Sequence, residues 1–122
     1  MPERGGVSVS ARSGPSSTAP RLARASENEK YASLLREGVN THSLRCGRVA
    51  LQPGESVGEH STQAIEEAIV VLQGRAKANL GGHKPITATA GQVIYIPPQT
   101  VHNIRNAGEG VLRYIYITVP VK

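Results

Sequence analysis

From Thr41 onward the chain is a series of short β-branched and aliphatic runs, each cut off by glycine or proline. Ser43 to Gln52 ends at Pro53-Gly54, Ala68 to Leu72 stops before Gly74, and Arg75 to Leu80 meets Gly81-Gly82. Gln92 to Ile96 runs into Pro97-Pro98. Close spacing of this kind predicts an all-β sandwich or barrel and not strand–helix–strand units. Gly81-Gly82 predicts a two-residue hairpin turn. The last run alternates, with Val111, Ile115, Ile117 and Val119 on one face and Leu112, Tyr114 and Tyr116 on the other. With no Phe or Trp anywhere, the core has to come from Val, Ile, Leu and Ala. A β domain of about 95 residues with so light a core is marginal alone. A homodimer is therefore expected, with its seam in Val111 to Val119 or in Lys30 to Leu51.

The 122 residues suffice for one domain and a tail. Residues 1–26 are rich in Ser, Gly, Pro and Arg, and are expected to form a disordered tail before a domain spanning 27–122. The tail has the arginine-rich, acid-poor composition of an organelle transit peptide, yet Gly14, Pro15 and Pro20 interrupt the amphipathic helix such a signal needs. Of the net charge of +5, four arginines against one glutamate place +3 in the tail and leave +2 for the body. Aromatic residues make up 3% of the chain, all tyrosine, so the body offers neither a basic face nor a stacking platform for nucleic acid. No apolar stretch approaches the ~18 residues of a membrane span. Cys46 is the sole cysteine, which excludes an internal disulfide and fits a reduced, cytoplasmic protein. It reads as a small core side chain. Ser26-Glu27-Asn28-Glu29 has capping-box form and predicts a short helix ended by Gly38, with a strand over Lys30 to Leu35 as the alternative.

Aspartate is absent, so side-chain carboxylate chemistry falls to nine glutamates. Glu67 shares a strand face with Ile69 and Val71, whereas Glu66 points with Ala68 and Val70. If the odd-numbered face is internal, Glu67 is a carboxylate inside an apolar barrel, and such a group has to be paired or metal-bound. His60 and His102 come from separate segments. Two histidines and a glutamate from different strands are a ligand set for a divalent metal with open coordination positions. His42 and His83 have no partner at ligand spacing.

These residues carry a resemblance. Gly54-x5-His60-x-Thr62-x4-Glu67-x6-Gly74 resembles the first motif of the cupin superfamily, and Gly91-x5-Pro97-x-Gln99-x2-His102-x3-Asn106 resembles the second. Eight of the ten signature positions carry the family residue, a match expected by chance less than about once in a million tries. The resemblance covers the body from about residue 40 to 120 and implies a small single-domain cupin, a jelly-roll β-barrel. It implies metal ligation by His60, Glu67 and His102, and turn or structural roles for Gly54, Gly74, Gly91, Pro97 and Asn106. Two positions depart. Gln99 replaces a glycine, at a cost of about 1–2 kcal/mol if φ is positive there. Thr62 replaces the second histidine of the usual three-His, one-Glu set.

What remains is a site for Fe, Mn, Ni or Zn, with Thr62 as a hydrogen-bonding group orienting bound water and Gln63 as a candidate carbonyl donor. Tyr95, Tyr114 or Tyr116 can donate protons if they face inward. The resemblance implies dioxygenation, isomerisation or decarboxylation of a small polar substrate. The alternative is a non-catalytic binding or sensing module with a vestigial, metal-free site. No catalytic residue is identifiable beyond the ligands, and no arginine clamp or phosphate-cradling loop is visible at the site.

Overall fold

A computed structural model describes residues 19–26 and 29–122. Among them are nine strands and no helix: β1 (Tyr31–Leu35), β2 (Arg45–Leu51), β3 (His60–Ser61), β4 (Ile65–Gln73), β5 (Arg75–Leu80), β6 (Ile86–Thr89), β7 (Val93–Ile96), β8 (Val101–Asn106) and β9 (Leu112–Pro120). They form two antiparallel sheets, ordered β1-β2-β9-β4-β7 and β3-β8-β5-β6. The all-β jelly-roll expectation therefore holds. Each expected run lies on a strand, with ends moved by a few residues.

Alternation decides what faces inward. From the five-stranded sheet come Val49, Leu51, Ile69, Val71, Ile94, Ile96, Leu112 and Tyr114. The four-stranded sheet contributes Ile104 and the small Ala76, Ala78 and Ala88. Leu51 pairs with Leu112 and Ala76 with Asn106, so aliphatic side chains plug one end of the barrel. At that end the buried Asn106 amide donates to Leu51 O (2.9 Å) and Gly110 O (2.8 Å), and its Oδ1 accepts from Gly108 N–H (2.9 Å). Gly74 turns between β4 and β5 at φ 89°. A Cβ there would sit 2.5 Å from Val111 O, so position 74 excludes every other residue on two counts.

Two expectations are corrected and one alternative is decided. Of the two readings after Ser26 the helix gives way to its alternative, the strand over Lys30 to Leu35, which forms β1 and pairs with β2 from Tyr31↔Val49. A cap worth about 1 kcal/mol yields to a full ladder on the open edge of β2; Glu27 and Asn28 of the capping box lie outside the described residues. The β5–β6 turn is longer than two residues, because β5 ends at Leu80 and β6 begins at Ile86, just after Pro85, which has no N–H to give the ladder. Cys46 is half-buried and faces away from the core, opposite Ile117 of β9. Of the tail expected over 1–26, residues 1–18 lie outside the described residues. Residues 19–26 lie along the barrel: Arg21 Nη1 donates to Asn40 O (2.6 Å) and Arg48 Nη2 donates to Ser26 O.

Gln99 does adopt a positive φ, 57°, opposite Gln63 at 51°, and Gln99 N–H donates to Gln63 O at 2.9 Å. A left-handed conformation costs a non-glycine residue about 1–2 kcal/mol, of which glycine returns about 0.4–1 kcal/mol through its freer unfolded chain. Gln99→Gly is thus expected to stabilise the domain by about 0.5–1 kcal/mol, read by denaturant titration; a loss would show that the turn has already relaxed around glutamine.

Candidate metal centre

The site lies at the end of the barrel opposite the aliphatic plug and is assembled from both sheets. His60 on β3 is the direct cross-strand partner of His102 on β8, and their rings lie 4.2 Å apart, centroid to centroid. Across the barrel, Glu67 on β4 sits between Ile96 and Thr118 of the neighbouring strands. The facing left open by the Glu66-Glu67 pair is thereby decided. Glu67 points inward, and Glu66 points outward to accept a hydrogen bond from Tyr95 Oη at 2.8 Å. One ligand atom each from His60, Glu67 and His102 lies within 4.8 Å of the others, close to the ~3–4 Å between two donors that share one ion at about 2.1 Å.

Backbone carbonyls orient both imidazoles. His60 Nδ1 meets Gly58 O and His102 Nδ1 meets Thr100 O, each at 3.0 Å. A carbonyl only accepts, so both Nδ1 atoms carry protons and both Nε2 atoms present lone pairs. His102 is 2% exposed. Its Nε2 lies 3.2 Å from Glu67 Oε1; with the proton on Nδ1 no hydrogen lies between these two atoms, and this buried nitrogen makes no hydrogen bond. Burial is the largest single influence on the His102 pKa and lowers it, but Glu67 and the Thr100 carbonyl together outweigh it, and the net value lies above 6.5. A cationic species between Nε2 and the carboxylate is what this pair favours, and the donor set fits a divalent metal ion.

Thr62 is 3% exposed and its hydroxyl is already committed. It donates to Pro97 O (2.7 Å) and accepts from Thr100 N–H (3.0 Å). Thr62 also lines the cavity, and its hydroxyl clamps the loop whose Thr100 carbonyl holds the His102 ring. Thr62→Val keeps the shape and strands both loop groups, at an expected cost of about 2–3 kcal/mol. It should also weaken metal binding about 10–100-fold, and metal titration together with denaturation checks both effects. Undiminished metal affinity would separate the clamp from the His102 orientation.

Two other expected pocket residues are elsewhere. Tyr95 is 56% exposed, because β7 turns Ile94 and Ile96 inward and leaves the alternate positions outside. Gln63 is exposed in its left-handed turn and does not line the cavity. His42 and His83 are exposed and also lie outside it. Tyr114 and Tyr116 do face inward. Burial, then the Glu67 charge, pushes the Tyr114 phenol well up, so it stays a protonated donor. Arg45 and Tyr31 line the cavity as well, and the sequence reading missed both. Arg45 carried a readable signal, since it shares the inward parity of Val49 and Leu51. Tyr31 required the β1–β2 register. The cavity measures about 370 Å³, at the small end for ligand pockets.

The cupin-domain profile matches residues 47–118. The chain belongs to the cupin family. This cupin is 32% identical over 76 residues to "Polyketide synthase CurC" of Streptomyces cyaneus, a match over 62% of this chain and 48% of that protein, so the chain spans about half its relative's length. Its fold superposes on a predicted oxalate decarboxylase from Thermotoga maritima with TM-score 0.72 and 25% identity, over 83% of this chain and 100% of that one. An RmlC-like cupin from Methanocaldococcus jannaschii gives TM-score 0.70 at 18% identity, covering 85% and 94%. The cupin domain of Schizosaccharomyces pombe Cnp3 gives 0.66 at 20%, covering 74% of this chain and 63% of that chain. The last two likenesses speak to the fold alone. Among the described residues, no helix is long and apolar enough to cross a membrane.

Proposed function

We propose that this cupin holds one divalent metal ion, Fe, Mn, Ni or Zn, on His60, Glu67 and His102, and acts on a small anionic, oxygen-donor substrate. The observation that carries the reading is the buried His102 Nε2, without a hydrogen-bond partner and facing the Glu67 carboxylate. A metal bound there supplies Lewis acidity and a template for substrate oxygens. The chain supplies the rest. Arg45, paired with Glu37 at 2.7 Å, brings a guanidinium to the cavity wall suited to a substrate carboxylate. Tyr114 brings a protonated hydroxyl. Among the described residues Glu67 is the one carboxylate lining the cavity, so with Glu67 ligating, proton delivery falls to the tyrosines.

Decarboxylation of a small dicarboxylate or oxo acid fits this set best, supported by the cavity size, by Arg45 and by the resemblance to the Thermotoga protein. The test is CO2 release and O2 uptake by metal-loaded protein with oxalate, small oxo acids and β-diketones. CO2 release without O2 uptake supports decarboxylation, and O2 uptake moves the reading to dioxygenation. Ligand-induced thermal shifts without turnover favour the second reading, a non-catalytic binding module, which the lack of a spare carboxylate supports.

A homodimer belongs to the same proposal. The outward face of the five-stranded sheet aligns Ala68, Val70, Ile115 and Ile117, beside Val93 at 61% and Tyr95 at 56% exposure. A second copy is the occupant that the light core calls for. Sedimentation should return twice the 12.9 kDa chain mass; a single-chain mass would rule out this seam.

A further inference from the structure

Outside the barrel, Arg48 of β2 and Arg113 of β9 lie diagonally across one strand pair, since Arg48 faces Ile115 and Arg113 faces Ala50. Long side chains reach one another at that separation, and like charges so placed repel. Arg48 is 6% exposed. Its Nη2 donates to Ser26 O, while its Nη1 is buried without a partner. Arg113 shows the same pattern: Nη1 donates to Gln73 Oε1 at 2.6 Å, and the buried Nε has no partner. Both arginines line one cavity of about 310 Å³, completed by Ala25 and Gln73, and no carboxylate among the described residues lines it. The adjoining cavity that shares Arg113 contains Glu29 and Glu55. Glu55 is already engaged there by Gln52 N–H at 2.7 Å and Lys30 at 3.7 Å.

A buried guanidinium such as that of Arg48, with no carboxylate among the described residues lining its cavity, is costly. The buried, unused Nε of half-exposed Arg113 converges on the same cavity, so the pair favours a negative charge between them. We propose that Arg48 and Arg113 form a second ligand site, distinct from the metal centre, which binds a compact oxyanion of the phosphate type. Arg48 Nη1, Arg113 Nε and the Gln73 amide supply the donors, and Ala25 completes the cavity wall. The site lies beside the plugged end of the barrel and shares no residue with the metal cavity.

The test follows arginine side-chain Nε–H signals of the full chain during titration with inorganic phosphate, at fixed ionic strength against chloride. The Arg113 signal should shift saturably with phosphate and not with chloride. Losing a charge-assisted donor should weaken phosphate about tenfold in Arg113→Gln, a variant at a half-exposed position where folding is not at stake. Arg75→Gln, an exposed arginine elsewhere, should bind as the parent does. An unmoved Arg113 signal, or parent-like phosphate affinity in Arg113→Gln, overturns the proposal. So does a shift that follows protein concentration and not phosphate, which would assign the two guanidiniums to a carboxylate of a second copy.

Discussion

Replacing Asn106 by aspartate should cost about 3–5 kcal/mol at neutral pH, a large part of the ~5–15 kcal/mol that holds a domain of this size together. The side chains are the same size, so no cavity arises. What changes is one atom: the amide that donates to Leu51 O and Gly110 O, at 2.9 and 2.8 Å, becomes an oxygen aimed at two carbonyl oxygens. A carboxylate held there is favoured in its protonated form, so its folded pKa lies above the unfolded value of about 3.9. The sign follows from linkage. Stability retained by the protonated form is fully present below the unfolded pKa and is lost as pH rises through the raised folded pKa. Thermal melts of Asn106→Asp should therefore improve on moving from pH 7 towards pH 4, relative to the parent. A pH-independent loss would mean that packing, and not the two carbonyls, governs the position.

The second large effect concerns the metal. Glu67→Gln preserves shape and removes the charge facing His102 Nε2. His60→Ala removes a proposed ligand at the exposed rim, where the fold has little stake. Groups that merely orient a ligand are worth about 10–100-fold in metal affinity, so either direct substitution should cost at least about a hundredfold. After reconstitution and dialysis, elemental analysis should find near-stoichiometric metal in the parent and little in either variant. Equal occupancy in all three would dismantle the three-ligand reading, and the pocket would then call for an organic occupant.

Fixed-spacing motifs make the barrel and the convergence of His60, Glu67 and His102 legible in the sequence. Glycine and proline mark strand ends directly, and the motif residues bracket the strands that deliver the ligands. Information of longer range was hidden. The capping box at Ser26 and the strand over Lys30 to Leu35 are competing local signals, and pairing with β2, Tyr31 to Val49, decides for the strand. Thr62 was read by what it replaces. Its actual partners, Pro97 O and Thr100 N–H, lie on a loop more than thirty residues later. Tyr95 was placed near the site by residue type, and strand parity alone would have turned it outward. Arg45 is the opposite case: its strand parity with Val49 and Leu51 is readable in the sequence, but a lone arginine at a strand start carries no motif that marks it as a cavity residue.

The aliphatic plug and the Asn106 knot give this barrel a blind end, while Tyr31, His60 and Arg45 stand around the other. Whatever enters must leave by the same opening, so each occupant has to depart before the next is admitted, and any leaving fragment competes directly with the incoming molecule. A chamber of this plan makes the rim residues the gatekeepers of both entry and exit.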